Sequence, residues 1–133
     1  MHVLLFDNHD SFSWNLSHDL ERAGANVVVV RPEELKIEID KVLEPFDAIV
    51  LSPGPGMPSD APGLMDVLAS AVKLDKPILG VCLGLQAIVE FFGGELENMN
   101  EVLHGRVGVL EIVEPCDIFE YSHSTMKDFI HVL

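Results

Sequence analysis

The chain of 133 residues has room for one compact domain, and we predict a single domain over residues 1–133. It is 48% hydrophobic with a mean hydropathy of +0.29, so it can bury a core and is not expected to be disordered. Its 22 acidic and 8 basic residues give a formal net charge of −14, which argues against nucleic acid and anionic membranes as partners. The two cysteines, Cys82 and Cys116, are too few for a disulfide framework and indicate a reducing, cytoplasmic setting.

The first thirty residues predict a strand, a helix and a second strand. Residues 3–6 form a short apolar run, which is typical of a buried strand. Phe12, Leu16 and Leu20 recur every four residues before Gly24, which predicts an amphipathic helix. Asn26–Val30 contains four consecutive valines and predicts a fully buried strand.

The middle of the chain repeats this alternation. Residues 47–51 predict a third strand, followed by a loop rich in proline and glycine over residues 52–58. Apolar residues at helical spacing over 64–72 predict a helix, and residues 77–81 predict a fourth strand. A further helix is predicted from an apolar stripe that ends at Gly93-Gly94; its members are Leu85, Ile88, Val89 and Phe92.

Strands alternating with helices predict an α/β fold with a mostly parallel central sheet and helices on both faces. The pattern changes after Glu95, where scattered apolar residues predict short strands of an antiparallel edge; they are Leu96, Val102, Val107, Val109 and residues 110–113. Residues 129–133 are also predicted to form a strand.

Ligands of an open parallel sheet bind beyond the carboxyl ends of its strands, where three loops are predicted: residues 7–11, 52–58 and 80–84. The third loop, Gly80-Val81-Cys82-Leu83-Gly84, has the form of a nucleophile elbow with cysteine in place of serine. There the helix N-terminus favours a Cys82 thiolate, and the N–H of Leu83 is available for an oxyanion. A lone cysteine after an apolar strand is often only a core residue, but the two glycines at this spacing favour the nucleophile.

Five motifs occur in the order found in one enzyme family; they are Asp7-Asn8-His9-Asp10-Ser11-Phe12, Ser52-Pro53-Gly54-Pro55-Gly56, the cysteine elbow continued by Leu85-Gln86, Phe92-Gly93-Gly94 and His104-Gly105-Arg106. In this order they resemble the class I (triad) glutamine amidotransferases. The opening motif is similar to the subgroup that serves chorismate, which comprises anthranilate synthase component II and aminodeoxychorismate synthase component II. The motifs do not separate these two.

The resemblance implies a flavodoxin-like fold and hydrolysis of L-glutamine, with ammonia passed to a chorismate-binding synthase component I. Cys82 is the implied nucleophile, and the backbones of Gly56 and Leu83 are the implied oxyanion hole. Contacts with glutamine are implied for Gly54, Pro55 and Gln86. Asp10 and Ser11 are expected to shape the first loop. We expect no metal or other cofactor, because no group of His, Cys, Asp and Glu has metal-site spacing.

Two departures from the family pattern affect these expectations. Leu85 stands where the chorismate subgroup usually has histidine, which blurs the choice of branch. None of the six histidines is followed two residues later by glutamate, so the family's His-x-Glu pair is absent. Tyr121-Ser122-His123-Ser124 only superficially resembles the family's glutamine-binding Tyr-His-Ser-Leu segment. We therefore expect a truncated domain that turns over little by itself.

Two alternatives remain open from the residues alone. One is a non-catalytic binding or regulatory module that has kept the fold and lost the triad. The other is the amidotransferase domain of a different ammonia-using synthase, against which the opening motif argues.

Overall fold

The computed structural model describes residues 1–35 and 38–98, together with the backbone of residues 106–109 and 129–132. The chain divides into two compact units, Met1–Glu97 and Asn98–Leu133. That residues 1–133 form a single domain stays a prediction.

Four parallel strands form the sheet of the first unit. They are β1 (His2–Phe6), β2 (Asn26–Val30), β3 (Ala48–Leu51) and β4 (Ile78–Gly80), in the order β2-β1-β3-β4. The register places Phe6 opposite Leu51, and Leu51 opposite Gly80. The carboxyl ends of three strands are therefore level, so the loops that follow them leave the sheet at the same edge.

Helices cover both faces of this sheet; they are α1 (Ser13–Arg22), α2 (Ile39–Leu43), α3 (Leu64–Lys73) and α4 (Leu83–Phe91). Side chains of β1 alternate between two cores, because successive residues of a strand point to opposite faces. Leu4 and Phe6 pack with residues of α2, α3 and α4, whereas Val3 and Leu5 pack with residues of α1. The predicted α/β architecture, with a parallel sheet between helices, is confirmed.

The prediction that β2 is fully buried is wrong. This strand lies at an edge of the four-stranded sheet, and Val28 is 43% exposed. An apolar run shows only that a strand is hydrophobic. The position of the strand in the sheet decides how much of it the helices cover.

The predicted core faces of two helices also need correction. Phe12 precedes α1 and is 59% exposed, whereas Leu16 and Leu20 pack against the core as expected. Of the stripe predicted for α4, Leu85 is 54% exposed, Val89 is also exposed, and Phe92, just after the helix, is 68% exposed; Ile88 packs against the core as expected. The buried residues of α4 are Leu83, Gly84 and Ala87. The helix is turned this way because its first turn packs directly against the sheet.

Short elements escaped the sequence pattern. Helix α2 and two single 3-10 turns, Pro32–Glu34 and Pro58–Asp60, are too brief to show a periodicity, although Leu43 of α2 is fully buried.

In the second unit, β5 (Arg106–Val109) pairs with β6 (Phe129–Val132) in antiparallel orientation. The predicted antiparallel strands are confirmed at these two segments. Leu96 is not part of a strand. The other strand predictions of this region, at Val102 and residues 110–113, lie outside the described residues, as do Cys116, His104 and residues 121–124. No helix in the described ranges is long and apolar enough to cross a membrane.

Candidate active site

The three loops predicted to form the site meet at the carboxyl edge of the sheet. The backbone N–H of Asn8 donates to Ser52 Oγ at 2.9 Å, and Asn8 Nδ2 donates to the carbonyl of Ser52 at 3.0 Å. Gly54 lies between the first loop and α4: a Cβ added there would be 2.6 Å from Asn8 Cβ and 2.6 Å from Leu83 Cδ2. Both the first loop and the residue after Cys82 therefore touch the proline- and glycine-rich loop.

Cys82 stands at a sharp turn between β4 and α4. Its backbone angles are φ 52° and ψ −108°, a conformation that side-chain-bearing residues rarely adopt. The N–H of Gln86 donates to the carbonyl of Cys82 at 3.0 Å, so the helix begins immediately after the turn. Holding a non-glycine residue in such a region costs on the order of 1–3 kcal/mol, which the surrounding structure must offset.

The glycines on either side of Cys82 allow α4 to approach the sheet. A Cβ added at Gly80 would lie 2.5 Å from the carbonyl carbon of Gly84. A Cβ added at Gly84 would collide with the carbonyl oxygen of Leu51 and would lie 2.6 Å from Leu51 Cβ. Any side chain at either position would push the first turn of α4 away and move the cysteine with it.

The groups predicted to act beside Cys82 differ in their exposure to solvent. Cys82 is partly exposed, and Pro55, Gly56 and Gln86 are exposed, while Gly54 is half-buried. Gly56 has a φ of 77°, and among the described residues no atom lies within 4 Å of the space its Cβ would occupy. Leu83 is buried, and its N–H donates none of the backbone hydrogen bonds found in the described ranges. The roles predicted for these residues therefore remain compatible with their placement.

Sequence reasoning missed a buried carboxylate that supports the first loop. Asp7 directly follows β1 and is fully buried. It accepts hydrogen bonds from Ser13 Oγ at 2.6 Å, from Arg31 Nε at 3.0 Å and from the N–H of Asp10 at 3.1 Å. Burial raises the pKa of Asp7, but the hydrogen bonds from Ser13, Arg31 and Asp10 outweigh it and hold the pKa below its usual value.

Asp10 acts in the way expected of a loop-shaping residue, because its carboxylate accepts a hydrogen bond from the N–H of Phe12 at 2.8 Å. The position of Asp7, an acid at the end of an apolar strand with a serine six residues later, was the available signal for this network. Within residues 1–35 and 38–98, no three His, Cys, Asp or Glu side chains are grouped so that they could hold a metal ion.

Three curated proteins show what the sequence is similar to. It is 43% identical over 106 residues to anthranilate synthase component 2 of Lactococcus lactis subsp. lactis, covering 78% of this chain and 50% of that protein. It is 38% identical over 144 residues to anthranilate synthase component 2 of Haemophilus influenzae, covering 96% of this chain and 74% of that protein. A multifunctional tryptophan biosynthesis protein of Pichia angusta is 41% identical to it over 109 residues, covering 82% of this chain and 29% of that protein. The chain thus spans half or less of two of these three relatives.

A solved structure shares the fold. A putative GMP synthase subunit from Thermoplasma acidophilum superposes with a TM-score of 0.63 at 25% identity, covering 84% of this chain and 55% of that one. This likeness confirms the flavodoxin-like arrangement. The sequence also matches the family described as "Glutamine amidotransferase class-I" over residues 4–129. By this match, made over nearly its whole length, the chain belongs to the class I glutamine amidotransferases.

Proposed function

We propose that this chain hydrolyses the side-chain amide of L-glutamine through a thioester on Cys82. The observation that carries the proposal is the strained, partly exposed turn that holds Cys82 next to Leu83, which itself lies against the proline- and glycine-rich loop. A nucleophile in such a turn is presented to solvent at the start of a helix.

The reaction follows from the groups at this edge. Cys82 Sγ attacks the amide carbon, and the resulting oxyanion accepts hydrogen bonds from the N–H groups of Leu83 and Gly56. The thiol proton leaves as sulfur attacks, and a proton donor beside the amide nitrogen must deliver it there, so that the C–N bond breaks and the nitrogen departs as ammonia. Water cleaves the thioester to glutamate and restores the thiol. Gly54, Pro55 and Gln86 are proposed to contact the glutamine.

The leaving nitrogen needs a proton donor, and none of the histidines here belongs to a His-x-Glu pair. We therefore expect these 133 residues by themselves to turn over slowly.

The proposed recipient of the ammonia is a chorismate-binding synthase component I. The support is that the sequence is 43% and 38% identical to two proteins named anthranilate synthase component 2. A role in tryptophan biosynthesis is proposed as well, and its support is the 41% identity to the multifunctional tryptophan biosynthesis protein of Pichia angusta. Supply of ammonia for aminodeoxychorismate synthesis, which leads to folate, is the second branch of the proposal. A cytoplasmic location is also part of the proposal.

The test compares the two cysteines of the chain. Cys82→Ala is expected to abolish glutamate release from L-glutamine, measured with the chain alone and with an anthranilate synthase component I. Cys116→Ala is the matched control and is expected to leave the rate unchanged. Glutamate release that persists in the Cys82→Ala variant would refute the proposal.

A non-catalytic module is the second candidate, favoured by the lack of a His-x-Glu pair. It predicts that the chain binds component I but releases no glutamate in its presence. Fluorescence of anthranilate, formed from chorismate and glutamine by the mixture, separates the two candidates and also identifies the branch. The amidotransferase domain of another ammonia-using synthase predicts glutamate release without any chorismate-derived product.

A further inference from the structure

We propose that Asn8 and Ser52 are positioning residues, which hold the proline- and glycine-rich loop at the distance from Cys82 that the oxyanion hole requires. The inference rests on the proposed function and deepens it. Neither side chain is expected to touch the reacting atoms.

Hydrogen bonds from the first loop fix the residue that opens the proline- and glycine-rich loop. Asn8 supplies three of them: its backbone N–H donates to Ser52 Oγ at 2.9 Å, and its Nδ2 donates to the Ser52 carbonyl at 3.0 Å and to Ser52 Oγ at 3.5 Å. The Ser52 hydroxyl in turn donates to the carbonyl of Pro53 at 2.6 Å. Asn8 is 5% exposed and Ser52 is fully buried, so water does not compete for these bonds.

The same asparagine sets the spacing of the loop by contact. The space that a Cβ would take at Gly54 is filled on one side by Asn8 Cβ, with the Asn8 carbonyl oxygen 3.1 Å away, and on the other side by Leu83. Gly54 is thus held between the first loop and the first residue of α4. A shift of Asn8 moves the loop relative to Leu83. It therefore moves the N–H of Gly56 relative to the N–H of Leu83, and these are the two proposed oxyanion donors.

The two ends of the Asn8 amide differ in their hydrogen bonding. Its Oδ1 is buried and has no hydrogen-bond partner among the described residues, while its Nδ2 bonds to Ser52. An unpaired buried acceptor is destabilising, and native structures keep few of them. The donor side of the amide is thus used on Ser52, as a role in placing that residue requires.

A displaced oxyanion donor lowers the rate of reactions that build negative charge on a carbonyl oxygen, and it leaves simple alkylation alone. Two electrophiles separate these effects on Cys82. Iodoacetamide alkylates a thiolate without forming an oxyanion. L-2-amino-4-oxo-5-chloropentanoate is a glutamine-like chloroketone whose ketone oxygen occupies the proposed hole. The ratio of their second-order rates, followed by mass spectrometry of the intact chain, reports on the placement of the proline- and glycine-rich loop and not on the reactivity of the thiol.

Asn8→Asp keeps the shape of the side chain, removes the Nδ2 donor and turns an oxygen toward the Ser52 carbonyl. Ser52→Ala removes the hydroxyl. Each is expected to lower the ratio of chloroketone to iodoacetamide rates by about tenfold or more, with the iodoacetamide rate unchanged. The matched controls are Asn15→Asp, at an exposed position of α1, and Ser70→Ala, which removes a buried hydroxyl of α3 that donates to Asp40; both are expected to keep the wild-type ratio.

A smaller change in the ratio, or an equal fall in both rates, would overturn the positioning role. Circular dichroism checks the fold of each variant, and Ser52→Ala decides the question if Asn8→Asp does not fold.

Acidification offers a second readout for Asn8→Asp, because protonation of the introduced carboxyl group restores a donor and should raise the ratio again. If wild-type Cys82 reacts with the chloroketone no faster than Cys116, the proposed function itself has failed and this inference fails with it.

Discussion

The turn at Cys82 and the network around Asp7 lie at the same edge of the sheet and are built on opposite principles. The turn holds a non-glycine residue at φ 52° and leaves the thiol partly exposed. Asp7 is fully buried, and its carboxylate accepts three hydrogen bonds. The strained group thus depends on close backbone packing, whereas the relaxed group depends on satisfied hydrogen bonds. The two should therefore respond differently to substitution.

Removing the close packing should have the largest effect. Gly84→Ala places a methyl group against the backbone of Leu51, so we expect a loss of about 3 kcal/mol or more in the free energy of unfolding. Gly24→Ala is the control, because Gly24 has a positive φ but no atom near its missing Cβ, and it should cost only about 1 kcal/mol. Urea denaturation measures both. Equal losses would show that close packing of α4 is not what supports the turn.

Removing the charge at Asp7 should have the next largest effect. Asp7→Asn weakens the bonds from Ser13 and Arg31, and we expect a loss of about 2 kcal/mol at neutral pH. Asp19→Asn, on the exposed face of α1, is the control and should change the free energy of unfolding by less than about 0.5 kcal/mol.

The pH dependence of this loss tests its cause. The pKa of Asp7 is lowered by folding, so its carboxylate contributes its full stabilisation above the unfolded-state pKa of roughly 4. That contribution is lost as the pH falls through the lower, folded-state pKa. The difference between wild type and Asp7→Asn should therefore be constant near neutrality and shrink in acid. A difference that stays constant down to the acid transition would contradict the assigned pKa direction.

Relieving the strain at the turn should have the smallest effect, and an opposite sign. Cys82→Gly removes the penalty of a positive φ but adds chain entropy to the unfolded state, so we expect a net gain of about 1 kcal/mol. Cys82→Ala keeps the strain and should show no such gain. Both variants should lack glutaminase activity. Thermal and urea unfolding compare them, and a Cys82→Gly variant less stable than Cys82→Ala would mean that the turn is not strained.

The turn that holds Cys82 could be predicted because its signals are local. The spacing of Gly80, Cys82 and Gly84 after an apolar run indicates a tight turn, since only residues without a side chain permit it. The contact between Asn8 and Ser52 could not be predicted, because the two residues are 44 positions apart and both are common in ordinary turns. The exposed face of α4 was mispredicted for a related reason: packing of Gly84 on Leu51 decides how that helix is turned, and hydrophobic spacing does not report it.

By itself the sequence determined the strands and the cysteine turn, because apolar runs and glycine spacing act over a few neighbouring residues. It also determined the family, through ordered motifs along one chain. Only the tertiary structure decided that β2 lies at an edge, that Asp7 bonds to Arg31, and that Gly54 is held between two loops. These outcomes depend on which distant segments become neighbours in the folded sheet, and that is a property of packing across the whole unit.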